Sequence, residues 1–218
     1  TGLFLNTIII QRRENCSNYL CVMVKRCFDV VVSLTAIVIL LPLLLLIALW
    51  IKADSRGNVL YKQIRVGKGG KDFGILKFRT MRPDSDSKGL LTVGGHDPRI
   101  TKAGYVLRKY KLDELPQLFN VLAGQMSLVG PRPEVRKYVS CYSAEQLKVL
   151  NVKPGITDYA SIYYSNENEI LAQSAHPEQT YVQEIMPHKL ALNLKYIQEA
   201  GIITDLKIIA GTVAKIVR

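Results

Sequence analysis

The 22 residues from Val30 to Ile51 carry no charge and are almost wholly valine, isoleucine and leucine. As a helix they would extend roughly 33 Å, the thickness of a bilayer's hydrocarbon core. A helix that is apolar on every face meets lipid rather than water, so the segment is read as a membrane anchor. Pro42 sits near its middle, where it removes a helical hydrogen bond and bends the axis. Lys25 and Arg26 precede the segment, and Lys52, Arg56, Lys62 and Arg65 follow it. Positive charge on both flanks suits neither orientation of a simple span. It suits a re-entrant helix that breaks at Pro42 and leaves by the face it entered. A kinked full span is the competing topology.

The chain of 218 residues has a net charge of +11, and the excess is concentrated. Residues 52–112 hold fifteen Lys and Arg against five Asp. Such a patch asks for an anionic partner: a phosphate-rich substrate, an anionic lipid surface or nucleic acid. The basic stretch has few aromatics and no nucleic-acid-binding motif, which argues against the last. Cys16, Cys21, Cys27 and Cys141 form no CxxC and have no ligand spacing with the three histidines. They read as reduced thiols of a cytoplasmic domain, without a zinc site. The chain opens on Thr1 rather than Met, which leaves room for a preceding segment. Gly2 to Ile10 is apolar, too short to span and without a cleavage signal, and would suit the tail of an earlier transmembrane helix.

After the anchor, Val59–Val66 and Phe73–Arg79 read as two strands around the turn Gly67-Lys68-Gly69-Gly70, a hairpin rather than a phosphate loop. Arg82 to Pro98 is a long polar loop containing His96, of a length that suggests function. Ile100 to Lys111 reads as a short helix that delivers Arg108 to the next stretch. There Asp113 and Glu114 stand directly before Leu115, Leu118, Phe119 and Leu122, an apolar stripe at helical spacing. Asp113 is placed as N-cap, with Pro116 tolerated in the first turn. The helix dipole would keep both carboxylates ionised, and the free backbone N–H groups would suit a phosphate. Taken alone, an Asp-Glu pair opening a helix is a cap and nothing more.

The surroundings give it weight. Asp97-Pro98-Arg99-Ile100-Thr101 lies upstream, and Leu112-Asp113-Glu114-Leu115-Pro116-Gln117-Leu118 runs on to Gly124-Gln125-Met126-Ser127-Leu128-Val129-Gly130-Pro131-Arg132-Pro133. Together with Lys77-Phe78-Arg79-Thr80-Met81 and Lys153-Pro154-Gly155-Ile156-Thr157, these runs resemble the bacterial sugar transferases, the monotopic polyprenyl-phosphate phosphoglycosyl transferases. The resemblance extends from about Lys25 to the C-terminus. It implies a mostly helical α+β protein: an N-terminal extension over 1–24, a re-entrant membrane hairpin over 25–52 and a small cytoplasmic catalytic domain over 53–218 that contains the β-hairpin.

The resemblance also implies the chemistry. Asp113 would attack the β-phosphate of a UDP-sugar and release UMP. The phosphosugar would then pass to a polyprenyl (undecaprenyl) phosphate, the first membrane step of exopolysaccharide, capsule, O-antigen or glycoprotein assembly. Glu114 would assist as a metal or proton partner, with Mg2+ held by Asp113 and Glu114. Lys77, Arg79, Arg108 and Arg132 would bind substrate phosphates. The site would lie on the cytoplasmic face of the inner membrane, among its lipids, in a protein able to self-associate. Two departures stand out. Asp158-Tyr159-Ala160-Ser161 replaces the usual Gly-Trp-Ala-Gln, and Asn193 falls where many members carry a functional Asp. The alternative reading is a membrane-anchored, non-catalytic basic module that binds anionic lipid or nucleic acid.

Farther on, Glu134–Leu150 reads as an amphipathic helix, and Pro177–Ala200 as a helix interrupted at Pro187. The last helix would present Leu206, Ile209, Val213 and Ile216 on one face and Lys207, Gly211, Lys215 and Arg218 on another, suited to the domain or to a membrane interface.

Overall fold

The computed structural model describes residues 2–83, 85 and 97–217, with side-chain surroundings from Val22 to Ile216. His96 with most of its polar loop, and the side chains of Cys16 and Cys21, lie outside the described residues. Helix α1 runs from Gly2 to Asp54 and continues through Pro42 without a break. It passes through the boundaries expected at residues 24 and 52. Within it, Val22–Asp54 is, among the described residues, the one helix long and apolar enough to cross a membrane.

One stripe of α1 is buried: Asp29, Ser33, Ile37, Leu44, Ile47 and Ile51. The intervals of three, four and seven residues keep these positions on one helical face. Leu34, Val38, Leu41, Leu45 and Leu49 face outward, an apolar surface that water would not favour. The buried stripe continues on both sides of Pro42. Ile37 packs with Ile75, Leu118 and Val121, and Leu44, Ile47 and Ile51 pack with Phe78 and Leu107. Polar ties fix the N-terminal side of this face. Arg26 donates to the carbonyls of Val121 at 2.6 Å and Leu122 at 2.9 Å, and Asp29 accepts from Leu128 N at 3.1 Å. Lys25 pairs with the buried Asp205.

The hairpin forms as expected: β1 (Leu60–Val66) and β2 (Asp72–Phe78) are antiparallel, with Tyr61 opposite Lys77. Helix α2 (Lys102–Lys109) is capped by Thr101, whose hydroxyl accepts from Gly104 N at 3.0 Å. A tight turn, Leu112–Glu114, leads to α3 (Gln117–Leu122). Asn120 of α3 clasps the hairpin edge, accepting from Leu76 N at 2.9 Å and donating to Gly74 O at 2.8 Å.

Strand β3 (Ser127–Val129) precedes the short α4 (Arg136–Val139). The expected helix over Glu134–Leu150 is not one helix. It stops at Ser140, whose hydroxyl donates to Lys137 O at 2.7 Å, and resumes as a tight 3-10 turn over Gln146–Asn151. Such hydroxyl-to-carbonyl bonds compete with the helical ladder. The segment Lys153–Thr157 supplies β4 (Gly155–Thr157), paired parallel to β3.

Gly155 lies close against Gly130, the residue after β3. A Cβ on Gly155 would lie 2.1 Å from Gly130 N. Gly155→Ala must therefore displace backbone, at a cost of about 1–3 kcal/mol. The expected result is a lowered melting temperature together with loss of activity, because Arg132 follows two residues after Gly130. An unchanged melt would show that the contact relaxes freely.

Helices α5 (Tyr159–Tyr163), α6 (Glu167–Ala172), α7 (Pro177–Thr180) and α8 (Met186–Glu199) follow, and the helical run from Pro177 to Glu199 loses its α register just before Pro187, which has no N–H to continue the ladder. A wide π-type turn over Tyr181–Ile185 joins the last two. In α9 (Ile202–Val217) the buried positions are Asp205 and Ile208, while Leu206 and Val213 are exposed. The apolar face read from the sequence is thus not the packed one. Asp205 turns inward because Lys25 and the Tyr196 hydroxyl, 2.8 Å away, satisfy it.

Candidate active site

Three elements converge on the Asp113–Glu114 pair. Lys111, two residues past the end of α2, takes the left-handed conformation, with φ 55°, which tips the chain into the Leu112–Glu114 turn. Pro116, lacking an N–H, then occupies the N-cap position of a helix only six residues long. Asp113 is therefore not the cap expected from the sequence. Its side chain is buried, at 6% exposure, and its Oδ1 has no hydrogen-bond partner.

Lys77 reaches the pair from the end of β2, donating from Nζ to Glu114 Oε1 at 3.1 Å. Arg132 reaches it from the loop after β3, and its Nη2 donates to the same oxygen. Arg132 is itself held at two further points. Its Nη1 donates to Ile156 O at 3.1 Å, and its backbone N donates to Asp158 Oδ2 at 3.1 Å. Asp158 is fully buried and also caps α5, accepting from Ser161 N at 2.6 Å. Sequence reading marked Asp158 only as a departure from a familiar run. Its position directly before a short helix was the signal for a cap.

The charges separate the two carboxyls. Burial pushes the Asp113 carboxyl above its usual range, and Glu114 adds to this, against Lys77, Arg108 and Lys111. Burial alone would raise Glu114 too, but Arg132 and Lys77 outweigh it and hold Glu114 well below the usual carboxylate range. The dipole argument, which treated both carboxylates alike, fails because desolvation dominates at Asp113. Arg132 is raised chiefly by Glu114. Lys77 is lowered by its own burial, with Glu114 opposing. Four cations, Lys77, Arg108, Lys111 and Arg132, thus surround two carboxylates, leaving a positive balance for an anionic ligand.

Arg108, at the end of α2, is brought to Asp113 as expected. Arg79 is not brought to the pair. Strand β2 stops at Phe78, and the Arg79 guanidinium turns to the C-terminus of α1, donating to Arg56 O at 2.6 Å and Ser55 O at 2.8 Å. Unsatisfied carbonyls at a helix end attract a cation. Asn193 is buried in α8 and borders a cavity of about 30 Å³ that also touches Arg132 and Glu134.

A larger cavity of about 470 Å³ opens on Glu114, with Lys111, Arg132, Tyr164, Glu167 and Lys189 also in its lining. Its volume is that of a site for a small organic ligand. Part of the basic stretch is turned inward: Arg65 bonds Glu134, Arg99 bonds Asp97, and Lys77 and Arg79 are engaged as above, while Lys52, Arg56, Lys62, Lys68 and Lys71 are exposed.

For a divalent cation the donor set is hard oxygen. Asp113 offers the unpartnered Oδ1, whereas Glu114 Oε1 is already taken by two cations. Among the described residues no cluster of three or more His, Cys, Asp or Glu could hold a metal. Asp113 Oδ1 is a donor of the kind Mg2+ takes, since that ion binds through one or two carboxylates and completes its shell with water and phosphate oxygens.

A family model described as "Bacterial sugar transferase" matches residues 20–218. A UDP-N-acetylgalactosamine-undecaprenyl-phosphate N-acetylgalactosaminephosphotransferase of Aeromonas hydrophila is 43% identical over 144 residues, 65% of this chain and 34% of that protein. A UDP-glucose:undecaprenyl-phosphate glucose-1-phosphate transferase of Caulobacter vibrioides is 39% identical, covering 87% of this chain and 68% of its own. An exopolysaccharide production protein of Rhizobium leguminosarum bv. phaseoli is 39% identical over 87% of this chain and 92% of its own. The chain spans only about a third to two-fifths of several longer relatives, 34% of the Aeromonas protein and 39% of one from Klebsiella pneumoniae. By the family match and by these identities, the chain belongs to the bacterial sugar transferase family.

Proposed function

We propose that the protein transfers a sugar-1-phosphate from a UDP-sugar to polyprenyl phosphate, undecaprenyl phosphate in the relatives' names, through a covalent intermediate on Asp113. The observation that carries this reading is the buried Asp113 carboxyl with an unpartnered oxygen, ringed by cations and set behind Glu114, which lines a cavity of about 470 Å³.

Lys77 and Arg132 neutralise the diphosphate so that an anionic nucleophile can approach phosphorus. Asp113 Oδ1 attacks the β-phosphorus, forming an acyl phosphate as the bond to the α-phosphate oxygen breaks and UMP leaves. A polyprenyl phosphate oxygen then attacks the same phosphorus. The Asp113 carboxylate departs, and a polyprenyl diphosphate sugar is formed. Bound Mg2+, held by Asp113 and by Glu114 once that carboxylate is freed, would offset charge on the phosphate oxygens. Screening UDP-sugars for UMP release in the presence of polyprenyl phosphate and Mg2+ tests the reading. Release from at least one UDP-sugar is expected, and none from any would refute it.

The acceptor is lipid-borne, which accounts for α1. The expected break at Pro42 is absent, since the helix runs on through it, and we read the apolar segment as re-entrant on its packing instead, entering and leaving the inner membrane on the cytoplasmic side. Support comes from the packing: residues before and after Pro42 rest on the same domain, and the opposite face of the helix is apolar and exposed. A helix that crossed the bilayer away from the domain would have one half in lipid on all sides. The expected result is that a membrane-impermeant thiol reagent labels none of Cys16, Cys21 or Cys141 in intact spheroplasts, and labels the exposed Cys141 after permeabilisation. Labelling of Cys16 or Cys21 in sealed cells, with Cys141 protected, would establish a full span instead.

A further inference from the structure

The Glu114 carboxylate occupies the position that a substrate phosphate needs. Its Oε1 accepts from both Lys77 Nζ, at 3.1 Å, and Arg132 Nη2. Two cations converging on one oxygen make a phosphate-binding fork. Both come from rigid parts of the fold. Lys77 is paired across the hairpin with Tyr61, and Arg132 is flanked by two prolines and held by Ile156 O and Asp158. Glu114 comes instead from a three-residue turn entered through a left-handed lysine. It also stands in front. Glu114 borders the large cavity, whereas Asp113 is 6% exposed and is not among the lining residues.

An entering diphosphate therefore meets Glu114 before it meets Asp113. The donors that Lys77 Nζ and Arg132 Nη2 turn toward each other meet at Glu114 Oε1, so a phosphate oxygen seated at that point takes the carboxylate's place. Those cations are partly buried, with side-chain exposures of 20% and 30%, and leaving them unpaired carries a cost. A carboxylate is thus needed there in the free protein and is in the way in the bound one.

We infer that Glu114 is an internal occupant of a diphosphate cradle formed by Lys77 and Arg132, and that the substrate binds by displacing it. The exchange replaces one carboxylate with a group of higher negative charge, so the cradle stays neutralised. Displacement also uncovers Asp113 and leaves a free carboxylate beside the reacting phosphorus. The inference rests on the proposed function for the identity of the natural diphosphate, and on the geometry for the cradle.

The test compares pyrophosphate binding by the full chain in detergent, with EDTA present so that no metal contributes. Asp113→Asn serves as the parent to exclude chemistry. Asp113→Asn/Glu114→Gln should bind pyrophosphate about ten-fold or more tightly than the parent, since one charge-assisted competitor is gone. Equal or weaker binding would overturn the inference. Where the Gln variant folds poorly, Asp113→Asn/Glu114→Ala carries the same expectation. Pyrophosphate should also raise the melting temperature of the variant more than that of the parent, and an equal or smaller rise counts against the cradle. Tighter pyrophosphate binding in a native protein that turns over no UDP-sugar would leave the cradle standing and remove the nucleotide reading.

Discussion

Asp113→Asn is expected to reduce turnover to background while leaving the fold intact. The amide matches the carboxylate in shape, so the buried site stays filled, but it is a poor nucleophile toward phosphorus. Removing a buried charge whose Oδ1 has no partner should not destabilise the protein, since burial disfavours the charged form there. Circular dichroism and melting check the fold, and UMP release checks the activity. Normal turnover by the Asn variant would remove Asp113 from the nucleophile's role.

The second large effect is expected at Arg132. Arg132→Ala removes one arm of the phosphate fork and the bond to Ile156 O. A charge-assisted hydrogen bond contributes about 1.5–3 kcal/mol, so kcat/KM should fall roughly 10- to 150-fold. The backbone bond from Arg132 N to Asp158 survives the substitution, which keeps β3 and β4 together. A folded variant with unchanged kinetics would make Arg132 a structural residue only.

The parts of the site legible in the sequence are those fixed over short chain distances. Asp113 and Glu114 are adjacent, the Gly67–Gly70 turn sets the hairpin that carries Lys77, and the two prolines frame Arg132. What was not legible depends on distant partners. Arg79 shares a strand-like spacing with Lys77, yet it turns away because the end of α1, about two dozen residues earlier, presents unpaired carbonyls. Asp205 breaks the amphipathic reading of α9 because its partner Lys25 lies 180 residues away. Periodicity assigns polar residues outward, and a buried ion pair inverts that assignment. Ser33 does the same inside the segment that reads as uniformly hydrophobic, and Asp29 directly before it, both on the face of α1 that packs on the domain.

Burial also explains why the two carboxyls were misjudged as equivalent. A helix N-terminus stabilises both anions, but α3 is too short and begins too late, at Gln117, to act on Asp113. Desolvation then raises one carboxyl while Arg132 and Lys77 hold the other low. Pairs of titratable groups driven apart in this way are characteristic of sites with divided chemical roles.

The central claim is a two-step transfer through Asp113, and intact-mass analysis without any acceptor tests it most directly. Native protein incubated with its UDP-sugar and Mg2+, but no polyprenyl phosphate, should release UMP in an amount matching the protein and gain the mass of one phosphosugar. The added mass should map to Asp113 and disappear when polyprenyl phosphate is supplied. UMP release that requires the acceptor, with no mass gained at any stage, would mean direct transfer and would contradict the covalent mechanism.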